Sequence, residues 1–265
     1  MQDLKVTLVQ ADLAWENGDA NRSHFEEMIR NVKDTDLILL PEMFATGFSM
    51  NAKPLAENMN GTSVNWMKKT ATEKNAAVTG SLIIEDGGFY FNRLIWASPD
   101  GSIQHYDKRH LFSLAEEERF YKQGNKKIFT EINEWKILPL ICYDLRFPVW
   151  ARQSPPFTEM GKHPYDILIY VANWPEKRIY AWKHLLIARA IENQSFVIGL
   201  NRVGHDGNGI NYPGQSCVID PMGEVVENSG DTESVKTISI SKSLISDIRS
   251  KFKFLDDRDE FELKS

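Results

Sequence analysis

The 265 residues include 42% hydrophobic side chains and 16 glycines, the apolar share of an ordinary globular protein and too much for a disordered or collagen-like chain. With 31 basic against 37 acidic residues the net charge is −6, which leaves no broad basic field for a phosphate backbone and argues against a nucleic-acid partner. No apolar run nears the roughly 20 residues of a membrane span, no secretion signal is visible at Met1, and two cysteines allow at most one bridge, so the expectation is a cytoplasmic chain with free thiols and no membrane partner.

Leu4, Val6 and Leu8 alternate with Lys5 and Thr7, the period of two that predicts a strand. Ser23-His24-Phe25-Glu26 fits a capping box, and Phe25, Met28, Ile29 and Val32 follow at helical spacing, which predicts a helix from Ser23 with one buried stripe. The apolar run 37–40, closed by Pro41, reads as a strand buried on both faces and parallel to the first. Residues 64–74 have helical composition, and 76–84 pairs with 89–97 through a hairpin at Asp86-Gly87-Gly88. Pro99-Asp100-Gly101 turns the chain into a strand at 103–106, and a polar stretch, 116–127, precedes buried strands at 135–142 and 166–172. A long helix is predicted over 177–193, with Tyr180, His184, Ile187 and Ile191 along one side. Strands at 195–202, 216–220, 224–226 and 235–240 are separated by turns at Asp206-Gly207-Asn208-Gly209 and Pro221-Met222-Gly223. Residues 1–265 thus read as one mixed α/β domain with a charged tail from about 251. Its Phe252, Phe254 and Phe261 suit docking on a partner subunit better than open solvent.

Three strand-like runs end abruptly in a reactive side chain: Leu39-Leu40-Pro41-Glu42, Tyr106-Asp107-Lys108-Arg109 and Leu140-Ile141-Cys142-Tyr143-Asp144. Ligand crevices form at strand ends in α/β sheets, so three such ends can converge although far apart along the chain. Taken singly, Glu42 reads as a solvated loop acid, Lys108 as an exposed cation and Cys142 as a small buried hydrophobe. Taken together they describe chemistry, because a thiol of pKa about 8.5 needs a nearby base or cation to become a strong nucleophile.

These segments, with His110-Leu111-Phe112 after Arg109 and Leu145-Arg146-Phe147-Pro148 after Asp144, resemble the carbon–nitrogen hydrolases of the nitrilase superfamily. The similarity runs from Val6 through Ala188-Arg189-Ala190-Ile191-Glu192-Asn193 to Asp220-Pro221-Met222-Gly223. It implies an α-β-β-α sandwich of two mixed sheets face to face, and a homodimer or higher homo-oligomer. It also implies a catalytic Glu42, Lys108 and Cys142, with Glu117, between Glu116 and Glu118, as a second glutamate. Asn173-Trp174-Pro175, Arg178 and Trp182 make the chain most similar to the bacterial omega-amidases, which implies a small-molecule substrate of the 2-oxoglutaramate or succinamate type. Nitrile hydrolysis or N-carbamoyl amide cleavage on the same triad is the alternative.

The chemistry expected is attack by Cys142 on the amide carbon, Glu42 acting as base and then acid, Lys108 and the Tyr143 backbone N–H stabilising the oxyanion, and Glu117 orienting substrate or water. No metal and no organic cofactor is required. A remote carboxylate calls for a guanidinium, with Arg178 and Arg202 as candidates, and Phe48, Tyr143 and Trp174 as candidate aromatic walls. Asp144 and Arg146 are expected to brace the nucleophile's turn through a salt bridge, and Cys217 to be an inert core thiol. The histidines show no metal-ligand spacing, 204–209 reads as a hairpin and not a phosphate loop, and no Cys-Gly-x-Cys-Trp segment supports a papain-like site.

Overall fold

In the computed structural model, which describes residues 2–152 and 163–263, the first half of the chain builds one sheet, completed by a single strand from near the end of the chain, and the rest of the second half builds another. The first half runs β1 (Leu4–Gln10), α1 (Gly18–Ile29), β2 (Leu37–Leu39), a short α2 (Ala52–Leu55), α3 (Thr62–Lys74), β3 (Ala77–Asp86), β4 (Phe89–Ala97) and β5 (Ile103–Asp107). The second runs β6 (Thr130–Ile132), β7 (Trp135–Ile141), a short α4 (Pro148–Ala151), β8 (Ile167–Ala172), α5 (Ile179–Asn193), β9 (Phe196–Asn201), β10 (Val203–His205), β11 (Asn211–Pro213), β12 (Cys217–Ile219), β13 (Val225–Asn228), β14 (Ser234–Ile240) and α6 (Lys242–Lys251).

The first sheet has the order β14-β1-β2-β3-β4-β5 and the second β13-β12-β9-β8-β7-β6. Each has three parallel strands at its heart, β1-β2-β3 and β7-β8-β9, with antiparallel strands on both flanks. Parallel strands need cover on both faces, and the side chains supply it. Leu4, Val6 and Leu8 join Ile137, Ile141, Ile167, Ile169, Ile198 and Val218 in one cluster between the sheets. Val9, Ile38 and Leu40 point to the other face, where Phe25 and Ile29 of α1 and Val64, Met67 and Ala71 of α3 cover them. On the far side α5 contributes Trp182, Leu186 and Ala190, and α6 contributes Ile245. The layers are therefore α-β-β-α, as the resemblance implied.

Three expectations change. α1 begins at Gly18, because Asn17 Oδ1 accepts from Ala20 N at 3.1 Å; Ser23 lies inside the helix, and the capping box is not used. The side of α5 carrying Tyr180, His184, Ile187 and Ile191 faces outward, with Tyr180 74% and Ile191 52% exposed, since Trp182, Leu186, Arg189, Ala190 and Asn193 occupy the buried face. A helix missing from the expected elements, α6, capped by Ser241, leads into the tail, and the tail itself is more ordered than its charge suggests: a 3-10 turn spans Phe254–Asp257, and Leu255 is buried. Phe254 remains 61% exposed, and residues 264 and 265 lie outside the described residues. Among the described residues no helix is long and apolar enough to cross a membrane.

Candidate active site

Glu42 follows β2, Lys108 follows β5 and Cys142 follows β7, so two strand ends of the first sheet and one of the second deliver the three side chains to one place. Lys108 is fixed at both ends of its peptide. Its N–H donates to Asn92 O at 3.0 Å, and its carbonyl accepts from Gly124 N at 2.9 Å. Only a glycine fits at 124, because a Cβ there would lie 2.2 Å from the Asp107 carbonyl oxygen.

The Lys108 ammonium donates to Glu42 Oε1 at 2.9 Å and to Glu117 Oε2 at 3.0 Å. All three side chains are buried, and buried charges persist only when paired and hydrogen-bonded. Each carboxyl has further donors. Glu42 accepts from Asn92 Nδ2 and from Asn173 N, both at 2.8 Å, while Glu117 accepts from Phe112 N at 2.6 Å and Asn92 Nδ2 at 3.3 Å. Burial opposes the Lys108 charge, but Glu117 and Glu42 outweigh it and hold the ammonium above its ordinary range. Burial pushes the Glu117 carboxyl up; Lys108 pulls against that and Glu42 adds to it.

Cys142 opens a 3-10 turn, Cys142–Arg146, with its backbone in the left-handed region at φ +41°. For a non-glycine residue this conformation costs about 1–3 kcal/mol and persists only where the surroundings over-determine it. Here the buried Asp144 does so: its carboxylate accepts from Ile141 N at 3.0 Å, Tyr106 Oη at 2.7 Å, and His110 N and Nδ1 at 3.1 and 2.8 Å. The expected bridge from Asp144 to Arg146 does not form, because these donors already fill the carboxylate. Burial and the Glu42 carboxylate, which is hydrogen-bonded to the sulfur, push the Cys142 thiol well above its ordinary value, with Lys108 opposing. Cys217 is a free thiol buried in β12.

Cys142 and Lys108 lie in the wall of a cavity of about 470 Å³. Phe48, Tyr143, Trp174 and Arg178 line it as well, so four of the five residues expected to contact substrate are at the cavity. Arg202 is not. It is wholly buried, donating to Asp12 Oδ1 at 2.7 Å and to the carbonyls of Val203, Leu13 and His205, and it braces the β10-β11 hairpin. Glu117 is absent from the lining too: it stands behind Lys108, which shields it from anything bound in front.

Three residues that build the site escaped the sequence reading in that role. Asn92, on β4, bridges the two glutamates while Ser81 Oγ donates to the Asn92 side-chain oxygen at 2.8 Å; the polar pair Asn92-Arg93 inside an apolar strand was its signal. Asn173 was noted only as part of a motif, yet it lines the cavity and bonds Glu42. Arg146, read as a brace, also faces the cavity.

Residues 5–250 match the carbon-nitrogen hydrolase family. The chain is 42% identical over 264 residues to omega-amidase YafV of Escherichia coli K12, covering 99% of this chain and 100% of that protein. It is 32% identical over 256 residues to the 2-oxoglutaramate amidase of Bacillus subtilis 168, covering 95% and 96% respectively. The crystal structure of XC1258 from Xanthomonas campestris, a CN-hydrolase superfamily protein with an arsenic adduct in the active site, superposes with a TM-score of 0.97 at 42% identity, covering all of both chains. This chain belongs to the carbon–nitrogen hydrolase family and is a hydrolase acting on amides.

Proposed function

We propose that the enzyme is an omega-amidase, which hydrolyses the terminal amide of a dicarboxylate mono-amide of the 2-oxoglutaramate or succinamate type to the acid and ammonia. The observation that carries this reading is the Cys142 sulfur set with Lys108, itself bonded to Glu42, in the wall of a cavity that also presents Arg178. Glu42 takes the thiol proton as the sulfur attacks the amide carbon. The oxyanion forms against the Lys108 ammonium and the Tyr143 N–H, a type of stabilisation in which one lost donor costs about 3–4 kcal/mol of barrier. Glu42 then passes the proton to the departing nitrogen, ammonia leaves a thioester on Cys142, and the same carboxylate activates water to release the acid. Glu117 holds Lys108 in place from behind and does not touch substrate. This balance of protons asks nothing of a metal or cofactor.

Asn173 favours an amide over a nitrile. Its backbone carbonyl oxygen is an acceptor 3.9 Å from Cys142 Sγ. A carboxamide brings N–H groups to such acceptors; a nitrile brings none. The active-site arsenic adduct of the Xanthomonas protein fits a thiophilic centre, which supports Cys142 as the nucleophile. Two free cysteines support a cytoplasmic setting. The outward apolar side of α5 supports association with further copies of the chain, for which sedimentation velocity is the check.

Ammonia release from 2-oxoglutaramate, succinamate, butyramide, butyronitrile and an N-carbamoyl amine, measured side by side, tests the reading. The two acid amides lead, and Cys142→Ala abolishes all turnover while Cys142→Ser leaves a trace. Faster release from the nitrile or the carbamoyl amine would transfer the assignment to the alternative chemistry.

A further inference from the structure

We propose that Ser81 is a positioning residue of the reaction, setting the orientation of the Glu42 carboxyl through the side-chain amide of Asn92 and through the backbone of Met43. This rests on the reading above that Glu42 is the base, and not on which amide is hydrolysed.

A serine hydroxyl has one proton to give and lone pairs to receive. Ser81 lies in β3 and is wholly buried. Its Oγ accepts from Met43 N at 2.8 Å, so its own proton goes to Asn92 Oδ1, also 2.8 Å away. The oxygen and nitrogen ends of an amide have nearly the same outline, and partners alone decide which way it points. With a donor fixed at Oδ1, the NH2 end of Asn92 faces Glu42 Oε1 at 2.8 Å and Glu117 Oε1 at 3.3 Å. Turned over, the amide would set an acceptor against two acceptors.

The sheet puts the pair in place. β3 and β4 run antiparallel with Ser81 opposite Leu94 and Ile83 opposite Asn92, which makes Ser81 and Asn92 diagonal neighbours on one face. Gly80 lets β3 close on the loop that carries Glu42, since a Cβ there would meet Leu40 Cβ at 2.8 Å. Phe44 N donates to Ser81 O at 3.1 Å, and Ser81 N donates to Pro41 O at 3.4 Å. Met43, next to the base, has a left-handed backbone at φ +45°, a conformation that persists only where the surroundings impose it. Ser81 thus grips the chain on both sides of Glu42 and, through Asn92, the carboxyl itself.

One ammonium serves two acids here, because Lys108 donates to both Glu42 and Glu117. Two carboxyls in one buried site tend to share a proton, and a base that shares a proton with its neighbour is lost to the thiol. The Asn92 amide has two N–H groups and gives one to each carboxyl, so the direction fixed by Ser81 is the one that keeps the two acids apart.

The test is steady-state kinetics, on whichever amide the wild type turns over fastest, for Ser81→Ala, Ser81→Cys, Asn92→Ala and the Ser81→Ala/Asn92→Ala double variant. The expected result is that kcat falls about 10-fold in Ser81→Ala and about 100-fold in Asn92→Ala while KM stays within about twofold, since neither residue lines the cavity. Ser81→Cys, close in size and a weak donor, recovers part of the loss, and it carries the comparison with wild type if Ser81→Ala does not fold. The double variant loses less than the product of the two single losses, because the residues act in one chain. Wild-type kcat in Ser81→Ala overturns the proposal, and so does a loss carried by KM, a Ser81→Cys enzyme slower than Ser81→Ala, or losses that multiply in full. Glu42→Gln separates the two readings: full turnover there removes the base and the proposal with it, whereas an inactive Glu42→Gln beside an unimpaired Ser81→Ala strikes the role of Ser81 alone.

Discussion

Asn173 locks Glu42 from the opposite sheet: its N–H donates to Glu42 Oε2 at 2.8 Å, and its Nδ2 donates to the Glu42 carbonyl at 2.7 Å. Glu42 comes from the end of β2 and Asn173 from the end of β8, so the base of the reaction is oriented by the packing of one sheet on the other. Orientation of this kind is worth a great deal in rate, since a misplacement of about 1 Å can lower turnover 10²-fold.

Asn173→Ala keeps the backbone bond and removes both side-chain bonds to Glu42. Steady-state kinetics on succinamate should show kcat down by about 10- to 100-fold. Thermal melting should show a smaller effect, about 1 kcal/mol, because one buried carbonyl loses its donor. A variant with wild-type kcat would mean that Glu42 is oriented without its partner sheet.

Reactivity of the thiol separates the two roles of Glu42, as base and as negative neighbour. Burial and then Glu42 raise the Cys142 thiol, with Lys108 opposing. In the wild type, alkylation by iodoacetamide should keep rising with pH beyond the ordinary thiol value of about 8.5 and reach no plateau near neutrality. Glu42→Gln removes one raising charge and leaves Lys108, so the alkylation profile moves to lower pH while amide turnover falls by at least about 10³-fold. Sign follows for stability as well. A thiol raised in the folded state contributes fully below its unfolded value, and that contribution is lost as pH climbs toward the folded one. A parallel loss of alkylation and turnover in Glu42→Gln would show that the carboxylate does not raise the thiol.

The strand ends were legible because apolar runs stop at polar residues there: the segments before Glu42, Lys108 and Cys142 all emerge as strands, and β4 matches its expected span of 89–97. Cross-sheet partners were not legible. Asn92 and Asn173 act through contacts over 50 and 131 positions, which no local periodicity encodes. Arg202 was misplaced for a related reason: a guanidinium near a turn looks the same in sequence whether it faces substrate or a carboxylate such as Asp12. α5 misled because its outward side carries Tyr180, Ile187 and Ile191 at helical spacing, while its buried side includes Arg189 and Asn193. Arg189 tolerates burial by donating to Leu145 O at 2.6 Å, just behind the nucleophile's turn. α6 had a readable signal, Ser241 before Leu244, Ile245 and Ile248.

Lys127 is a stability liability away from the chemistry. Its Nζ lies 4.7 Å from the centroid of the Trp150 ring, no carboxylate among the described residues pairs with it, and burial pushes its ammonium down from 10.5 to about 8. A lysine lowered in the folded state contributes its full stability above the unfolded value and loses it as pH falls through the folded one. Lys127→Met should therefore raise unfolding free energy by about 1–2 kcal/mol near neutral pH, after subtracting the lost cation–π contact. The gain should shrink between pH 8 and 10.5 and vanish above. Urea melts at three pH values read this directly, and a gain that persists at high pH would point to packing instead of charge.

Arg202 makes a prediction about stability and not about substrate. Arg202 is fully buried, paired with Asp12 and bonded to three carbonyls around the hairpin that carries Asp206 and Tyr212 to the cavity wall. Lysine cannot reproduce that fork, and a buried cation with unmet partners costs several kcal/mol. Arg202→Lys should lower the unfolding free energy by about 2–4 kcal/mol, seen as a lower urea midpoint. The ratio of kcat/KM for succinamate to that for butyramide should stay within about threefold of wild type wherever the variant is folded, because Arg202 does not face the cavity. Collapse of that ratio at unchanged stability would return Arg202 to the substrate.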